Sequence, residues 1–240
     1  TLTALDAMRS VYSKIEPSES GLDATTWRQL WLYGRSAQTG ALFQLLSNRL
    51  PFAWLARLGQ NGTAQAGLYS IAFYGMEAMW TAARALAPVL HARTAENKDR
   101  ASRILTTRAF ATLTFVISLV LWLISAAVPE FVYERIFEVD GIRGVLVVLG
   151  PAVICGSVAG IFSHHLSGIG QHRWNAWTSG AVLTTVILLG ALWYEKNGSI
   201  GAAAAASVAG FVQVLGLFIG MTREEQIKRA EWLPRRGDWA

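Results

Sequence analysis

Six long apolar stretches, separated by short polar connections, dominate this sequence of 240 residues. An α-helix needs roughly 20 apolar residues to cross a hydrocarbon core of about 30 Å. The stretches meet or approach that length at residues 32–57, 65–90, 107–128, 144–167, 174–194 and 199–221. In a bilayer only helices and closed barrels satisfy the backbone internally, and continuous apolar runs without period-two alternation favour helices. The sequence predicts an all-α, polytopic membrane protein with a bundle of six transmembrane helices.

The polar ends of the chain predict three segments. Residues 1–26 contain Pro17 and mixed charge, which is typical of a cytoplasmic linker; residues 27–222 form the six-helix bundle, and residues 223–240 form a basic cytoplasmic tail. With 52% hydrophobic and 15% charged residues, the chain has no room for a folded soluble domain. The longest predicted outer connection contains an apolar-aromatic segment, 130–138, which predicts a short helix at the membrane interface.

Positive charge is distributed unevenly among the connections. One side of the predicted bundle receives Arg9, Lys14, Arg28, Arg35, Arg84, Arg93, Lys98, Arg100, Arg103, Arg108, Arg173, Arg223, Lys228, Arg229, Arg235 and Arg236. The other side receives Arg57, Arg135, Arg143 and Lys196. The positive-inside rule then places both termini in the cytoplasm, as six crossings also require. Basic segments arranged in this way set topology and contact anionic lipid, so we expect a lipid bilayer as partner and no nucleic acid.

Three charged residues fall well inside the apolar stretches, away from their ends, and need an explanation. A charge at the centre of a membrane helix costs at least about 2.5–3.5 kcal/mol on insertion scales. Arg49 lies on the first predicted helix, next to Asn48 and before Pro51, and Glu77 and Arg84 lie on the second.

Helical spacing places these charges on two polar stripes. On the second helix the stripe consists of Tyr69, Phe73, Glu77, Trp80 and Arg84. On the first helix one face holds Gln38, Leu42, Leu45 and Arg49. One interpretation is a structural ion pair between Arg49 and Glu77, with Arg84 snorkelling to the interface. The other is a water-filled cavity, lined by these polar and aromatic groups, for a polar and anionic solute.

The histidines and the single cysteine indicate no catalytic or metal chemistry. None of the four histidines has a metal-ligand spacing, and Cys155 lies alone in mid-helix. No nucleophile elbow, phosphate-binding loop or Cys/His pairing occurs in the sequence. We therefore expect a protein that is not an enzyme and that holds no cofactor and no metal ion.

A series of short motifs, weak one by one, follows a recognisable order along residues 27–222. The motifs are Tyr33-Gly34, Ser47 to Leu50, Ala66 to Ala72, Glu77 with Pro88, Pro129 to Phe131, Leu166 to Gln171, Asn175, and Gly198 to Ala203. In this order and spacing the chain resembles the C-terminal half of Wzx-like polysaccharide biosynthesis proteins, the flippases of the multidrug/oligosaccharidyl-lipid/polysaccharide exporter superfamily.

That resemblance implies one six-helix half of a two-bundle transporter, which moves a lipid-linked glycan by alternating access. The substrate would be a polyprenyl-pyrophosphate-linked glycan for lipopolysaccharide or exopolysaccharide, and the location the bacterial inner membrane. Arg49 and Arg84 would contact the pyrophosphate, because arginine has the charge and forked geometry for it. Tyr69, Phe73 and Trp80 would stack on sugars, while Asn48, Gln38 and Glu77 would supply polar contacts.

Two departures from the family pattern accompany the resemblance. Pro51 stands where family members commonly have an acidic residue two positions after the arginine of the first helix, so Arg49 lacks that local partner. The family also has two six-helix halves, and only one is present. We expect a partial chain whose partner is the N-terminal half of the same polypeptide; a half-transporter that dimerises is the alternative.

Three other functions are compatible with parts of this pattern. A multidrug or cation antiporter of the same superfamily would prefer acidic groups in its cavity. A membrane glycan polymerase or ligase would need a long outer loop with catalytic residues, whereas the outer connection 128–143 is short. A purely structural membrane subunit would have its intramembrane charges locked in ion pairs.

The charge asymmetry makes a prediction about topology. Reporter fusions after Lys98 and in the basic tail should give a cytoplasmic signal, and a fusion at Asn61 should give an external one, because positively charged connections stay in the cytoplasm. The measurement is the activity of a two-sided reporter in intact cells. A cytoplasmic signal at Asn61 would contradict the predicted six crossings.

Overall fold

A computed structural model describes residues 24–59, 61–85, 87–96 and 99–227. Within these ranges the chain forms seven α-helices and no β-strand. The helices are α1 Ala24–Leu55, α2 Gly62–Arg84, α3 Ala87–Glu96, α4 Arg100–Ala127, α5 Glu130–Phe137, α6 Ile142–Gly168 and α7 His172–Glu224. The predicted all-α fold class is therefore confirmed.

The chain divides into two units, residues 1–35 and residues 36–240. Of the first unit the structure describes residues 24–35, the opening of α1, where Trp31 is 70% exposed. Residues 24–26, assigned by the sequence to the linker, are thus helical. The rest of the predicted linker, and the predicted tail after residue 227, lie outside the described residues. All geometry below concerns the second unit.

Helix α6 is the centre of the second unit. It packs against α2, α3, α4, α5 and α7. Its buried residues run from Ile142 to Leu166 and lie on more than one face of the helix. A helix that is apolar on every side is suited to such a central position. The predicted apolar stretch 144–167 is therefore the core helix of the bundle.

Helix α7 contains the last two predicted spans as two antiparallel arms. Gly198 interrupts it with φ 52° and ψ −130°, a conformation open to glycine because it has no Cβ. The arms fold back on each other, since Arg173 Nη2 lies 2.9 Å from Glu224 Oε1 at their far ends. Gly216 and Gly220 of the second arm lie against side chains of the first, as small residues do in closely packed membrane helices.

Among the described helices, α4, α6 and α7 are long and apolar enough to cross a membrane by length and composition. These three helices contain four of the six predicted spans. The remaining two predicted spans, 32–57 and 65–90, fall on α1 and on α2 with α3. Those helices are more polar. Helix α1 carries Arg49, and α2 carries Glu77 and Arg84.

The prediction of one continuous helix over 65–90 is wrong. Helix α2 ends at Arg84, and a separate helix α3 begins at Ala87. Pro88 is the second residue of α3, and proline is tolerated in the first turn because those N–H groups need no helical partner. Helix α4 begins at Arg100, seven residues before the predicted apolar stretch 107–128. Asp99 caps α4 by accepting hydrogen bonds from the backbone N–H groups of Ala101 and Ser102.

The short helix predicted over residues 130–138 is present as α5. Phe131 is 66% exposed and Ile136 64% exposed, so the helix presents an apolar outer face. Tyr133 instead points inward, where its hydroxyl donates a hydrogen bond of 2.8 Å to the carbonyl of Ser125 on α4. This bond fixes α5 to the end of α4.

Within the second unit, the basic residues Arg100, Arg103 and Arg173 lie together at the end of α7. Arg100 on α4 donates to the backbone carbonyls of Glu225 and Gln226 after α7, and His91 on α3 contacts the carbonyl of His164 on α6. We call this the basic end. At the opposite end the backbone N–H of Ser199 donates to Gln65 Oε1 over 2.8 Å, which joins the start of α2 to the Gly198 turn.

The Gly198 turn predicts a test of stability. Gly198→Ala should lower the free energy of unfolding in detergent by about 1–3 kcal/mol, because a non-glycine residue is strained at this φ and ψ. The new Cβ would also collide with the Gln65 side chain.

Gly67→Ala provides the matched control. Gly67 lies in α2 with no atom close to the position of an added Cβ, and alanine there should be neutral or stabilising by about 0.4–1 kcal/mol. Chemical denaturation of both variants checks the prediction, and equal stabilities would contradict it.

Candidate functional site

A polar cavity lies between α1, α2, α6 and α7. It has two chambers, a small one of about 60 Å³ and a large one of about 290 Å³. The residues that line both are Gln44, Asn48, Trp80, Gly156 and Gln213. We call the two chambers together the bundle cavity.

Helix α2 lines the small chamber with the stripe that the sequence predicted. Tyr69, Phe73, Glu77 and Trp80 all contribute to its wall, so helical spacing placed these four residues correctly. Tyr69 is only 1% exposed, and its ring packs 5.1 Å from that of Phe52 and 5.9 Å from that of Phe73. Tyr69 is therefore as much a part of the core as of the wall. The structure describes no side-chain placement for Arg84.

Helix α1 faces the cavity with different residues from those predicted. Gln44, Ser47 and Asn48 line the chambers, whereas Gln38 and Arg49 are exposed and belong to neither wall. The predicted face of Gln38, Leu42, Leu45 and Arg49 points away from the cavity, with Leu42 52% and Leu45 54% exposed. Asn48, which the sequence predicts to contact the substrate, lies on the walls of both chambers.

The predicted ion pair between Arg49 and Glu77 is not present among the described contacts. Arg49 Nη1 instead donates a hydrogen bond of 3.2 Å to the hydroxyl of Tyr74, which is 50% exposed. Glu77 lies on the wall of the small chamber. Both side chains are exposed, but only Glu77 lines a chamber, whereas Arg49 lines neither.

Two groups of amides and hydroxyls organise the bundle cavity. In the first, Gln213 Nε2 donates to Gln44 Oε1 over 2.9 Å, and Gln44 Nε2 donates to Asn48 Oδ1 over 3.4 Å. In the second, Asn175 Nδ2 donates to Ser167 Oγ at 2.9 Å and to the carbonyl of Ser163 at 3.3 Å. The other end of that amide, Asn175 Oδ1, is buried without a hydrogen-bond partner.

Charge is scarce on the described walls. Glu77 is the single Asp, Glu, Lys or Arg residue among those that line the small chamber, and the described wall of the large chamber contains none of these four types. His164 and His172 are the titratable residues of the large chamber. The cavity is therefore polar but close to neutral.

Charge-based sequence reasoning missed the amides of this site. Gln44, Gln213 and Asn175 are uncharged, and Asn175 was noted as part of a motif but not as a site residue. A search for any amide within the apolar stretches would have found Gln44 and Gln213, since both lie inside predicted spans. Their pairing was hidden by a separation of 169 residues along the chain.

A second polar cluster, the Glu225 network, lies at the basic end. Glu225 is 4% exposed and accepts two hydrogen bonds from Arg103, at 3.1 and 3.0 Å. Its Oε1 also lies 3.1 Å from Nε2 of His165, whose Nδ1 is 2.7 Å from the hydroxyl of Thr107. The network ties the end of α7 to α4 and α6.

The Glu225 network holds its carboxylate in the charged form. Burial alone would raise the pKa of Glu225, but hydrogen bonds from His165 and Arg103 and the charge of Arg103 outweigh it. The net effect lowers the pKa below its ordinary value. Among the described residues, no group of three His, Cys, Asp or Glu side chains is placed to hold a metal ion.

Two solved structures are similar to this architecture. No protein-family model matches the sequence, and no curated protein matches it. A crystal structure of MATE in complex with Br-NRF is similar with a TM-score of 0.64 and 18% identity, over 88% of this chain and 52% of that one. The outward-facing conformation of a multidrug resistance MATE family transporter of the MOP superfamily has a TM-score of 0.61 and 18% identity, over 88% and 49%.

This likeness establishes the fold. The chain has the helical architecture of MATE transporters and spans about half the length of the two solved structures it matches. The predicted all-α bundle, about half the size of such a transporter, agrees with the fold of these two structures.

The Glu225 network predicts a stability effect. Glu225→Gln should lower the free energy of unfolding by on the order of 3 kcal/mol, because it leaves Arg103 without its buried counter-charge. The contribution of Glu225 should be fully present above its unfolded pKa of about 4.3 and be lost as the pH falls below that value. Denaturation in detergent at a series of pH values measures both effects.

Glu195→Gln is the matched control, because Glu195 is an exposed glutamate on the first arm of α7. It should change the free energy of unfolding by less than about 0.5 kcal/mol. Equal losses in the two variants, or an unchanged acid dependence in Glu225→Gln, would contradict a stabilising role for the network.

Proposed function

We propose that this chain forms one half of a membrane transporter that moves a lipid-linked oligosaccharide across the bilayer. The observation that carries the proposal is the bundle cavity itself. Amide and carboxylate side chains inside an apolar helical bundle are expensive to bury and mark a solute pathway by default. Because the fold is shared with MATE transporters, we infer that the polar cavity between the helices forms part of such a pathway.

The oligosaccharide substrate is supported by the motifs that carry the sequence resemblance. Two of them reach the bundle cavity: the motif from Leu166 to Gln171 contributes Ser167 to the large chamber, and Asn175 lies beside it. In a transporter of this kind the lipid stays in the bilayer while the polar head crosses through protein. Amides and hydroxyls can replace water around a sugar during that crossing, because they both donate and accept hydrogen bonds.

Arg49 has a different place in this proposal from the one that the sequence indicated. Its guanidinium lies outside the bundle cavity, on the exposed face of α1, beside Tyr74. A second six-helix bundle, the partner implied by the resemblance, would cover that face and enclose Arg49 between the halves. There the guanidinium would contact the pyrophosphate of the substrate.

A second candidate is a multidrug or cation antiporter. Glu77 favours it, because a carboxylate on a cavity wall attracts an organic cation. One of the two similar structures is also described as a multidrug resistance transporter. Against it, Glu77 is the single carboxylate on the described walls, and amides and serines form most of their polar surface.

An enzymatic role, such as a glycan polymerase or ligase, has less support. The outer connection that would carry catalytic residues contains the eight-residue helix α5, with an apolar exposed face. We propose instead a bacterial inner-membrane protein whose basic end faces the cytoplasm, as the charge asymmetry predicts.

Reconstitution into proteoliposomes tests the proposal. Together with the second six-helix bundle, the chain should translocate a polyprenyl-pyrophosphate-linked oligosaccharide, whereas the chain without that bundle should not. Arg49→Ala should reduce the rate at least about tenfold at normal abundance, and Arg49→Lys should recover only part of it, because lysine lacks the forked geometry. Translocation is measured by enzymatic access to the glycan from outside.

Tyr74→Phe is the control for Arg49, because it removes the hydrogen-bond partner and keeps the charge. It should leave most of the translocation intact. Uptake of ethidium without any translocation of the lipid-linked oligosaccharide would overturn the proposal in favour of the cation antiporter.

A further inference from the structure

Asn175, one of the residues that line the large chamber, has an incompletely satisfied amide. The carbonyl of Ser163 can only accept a hydrogen bond, so the contact at 3.3 Å assigns the NH₂ group of Asn175 to that side. The other end of the amide, Oδ1, is buried with no hydrogen-bond partner. An unsatisfied buried acceptor is unfavourable, so a ligand hydroxyl that reached it would gain a hydrogen bond there.

The side chains that line the large chamber favour a ligand that is neutral and carries hydroxyl groups. Its described walls carry no Asp, Glu, Lys or Arg side chain, and the titratable residues there are His164 and His172, so no permanently charged group matches a phosphate or an organic cation. The amides of Gln44, Gln213 and Asn48 instead offer donors and acceptors side by side. A sugar hydroxyl uses both, because it donates one hydrogen bond and accepts others.

The volume of the large chamber suits a single sugar ring. Its volume of about 290 Å³ lies at the lower end of ligand pockets, which run from about 300 to 1,000 Å³. The Trp80 indole forms one wall and is packed over Gly156, where an added Cβ would come within 3.2 Å of it. An aromatic ring held in this way offers a flat apolar surface to the C–H face of a sugar.

We propose that the large chamber is a binding subsite for a single neutral sugar ring, with Asn175 Oδ1 as hydrogen-bond acceptor and Trp80 as stacking wall. This rests on the proposed function, since the ring would be one unit of the transported oligosaccharide. It assigns recognition of the sugar to this chamber and leaves the pyrophosphate to groups outside it. Asn175 then determines specificity for the glycan rather than for the lipid phosphate.

Direct binding to the protein in lipid nanodiscs tests the subsite without transport. The probes are methyl N-acetyl-β-glucosaminide and methyl β-glucoside as neutral sugars, inorganic pyrophosphate as an anion, and tetraphenylphosphonium as a cation. Saturation-transfer NMR should show binding of at least one sugar. Asn175→Ala should weaken that binding roughly tenfold, as expected for the loss of one hydrogen bond to a ligand.

A control variant separates recognition from folding. Asn61→Ala changes an exposed asparagine in the turn before α2, away from the walls, and should have no effect on sugar binding. Thermal unfolding of each variant shows whether a lost signal reflects lost protein. Equal weakening of binding in Asn61→Ala and Asn175→Ala, or unchanged binding in a folded Asn175→Ala, would overturn the role of Oδ1.

The outcomes distinguish the subsite from the proposed function. If neither sugar binds the unmodified protein, or if only pyrophosphate or the cation competes for the site, the subsite is wrong whatever the variants do. If the sugars bind as predicted but the lipid-linked oligosaccharide is not translocated, the subsite stands and the proposed function is wrong. If translocation occurs and is unchanged in Asn175→Ala, the function stands and the subsite is wrong.

Discussion

Polar side chains inside an apolar helical bundle have little water to replace a missing partner, so the same helix or another one must satisfy them. This constraint is visible along the whole of α6. Ser118 on α4 donates to Ser157 over 2.8 Å, and Ser207 on α7 donates to the carbonyl of Val148 over 2.6 Å. Such bonds join helices that apolar packing alone would hold in several registers, and they place α6 at the centre of the bundle.

The two polar clusters of the bundle respond to that constraint in opposite ways. In the Glu225 network the carboxylate is matched by Arg103 and His165, and nothing is left for a ligand. In the bundle cavity the Asn175 amide is satisfied at one end and unsatisfied at the other. A complete network stabilises the junction of three helices, whereas an incomplete one can gain a partner from solution. This difference separates a structural cluster from a candidate binding site.

Whether a site residue could be predicted from the sequence depends on whether its position follows from one helix or from the packing of two. The stripe from Tyr69 to Trp80 was predictable, because spacing within one helix determines which side chains share a face. The pairing of Arg49 was not, because it depends on how α1 is rotated against α2. The contact of Gln44 with Gln213 joins helices 169 residues apart, and no local pattern reports it. Asn175 has an ordinary position in the sequence; the site appears only when Ser163 and Ser167 bind one end of its amide.

The sequence by itself determined the all-α class, most of the helices, the short helix α5 and the gathering of basic residues at one end. These depend on hydropathy, helical period and charge, which act within about 20 neighbouring residues. Tertiary structure alone decided that α2 and α3 are separate, that Arg49 faces outward and that a nearly neutral cavity lies between α1, α2, α6 and α7. The physical reason is that hydrogen bonds and packing between helices distant in sequence fix the rotation of each helix about its axis. That rotation determines which polar face of the helix lines the cavity.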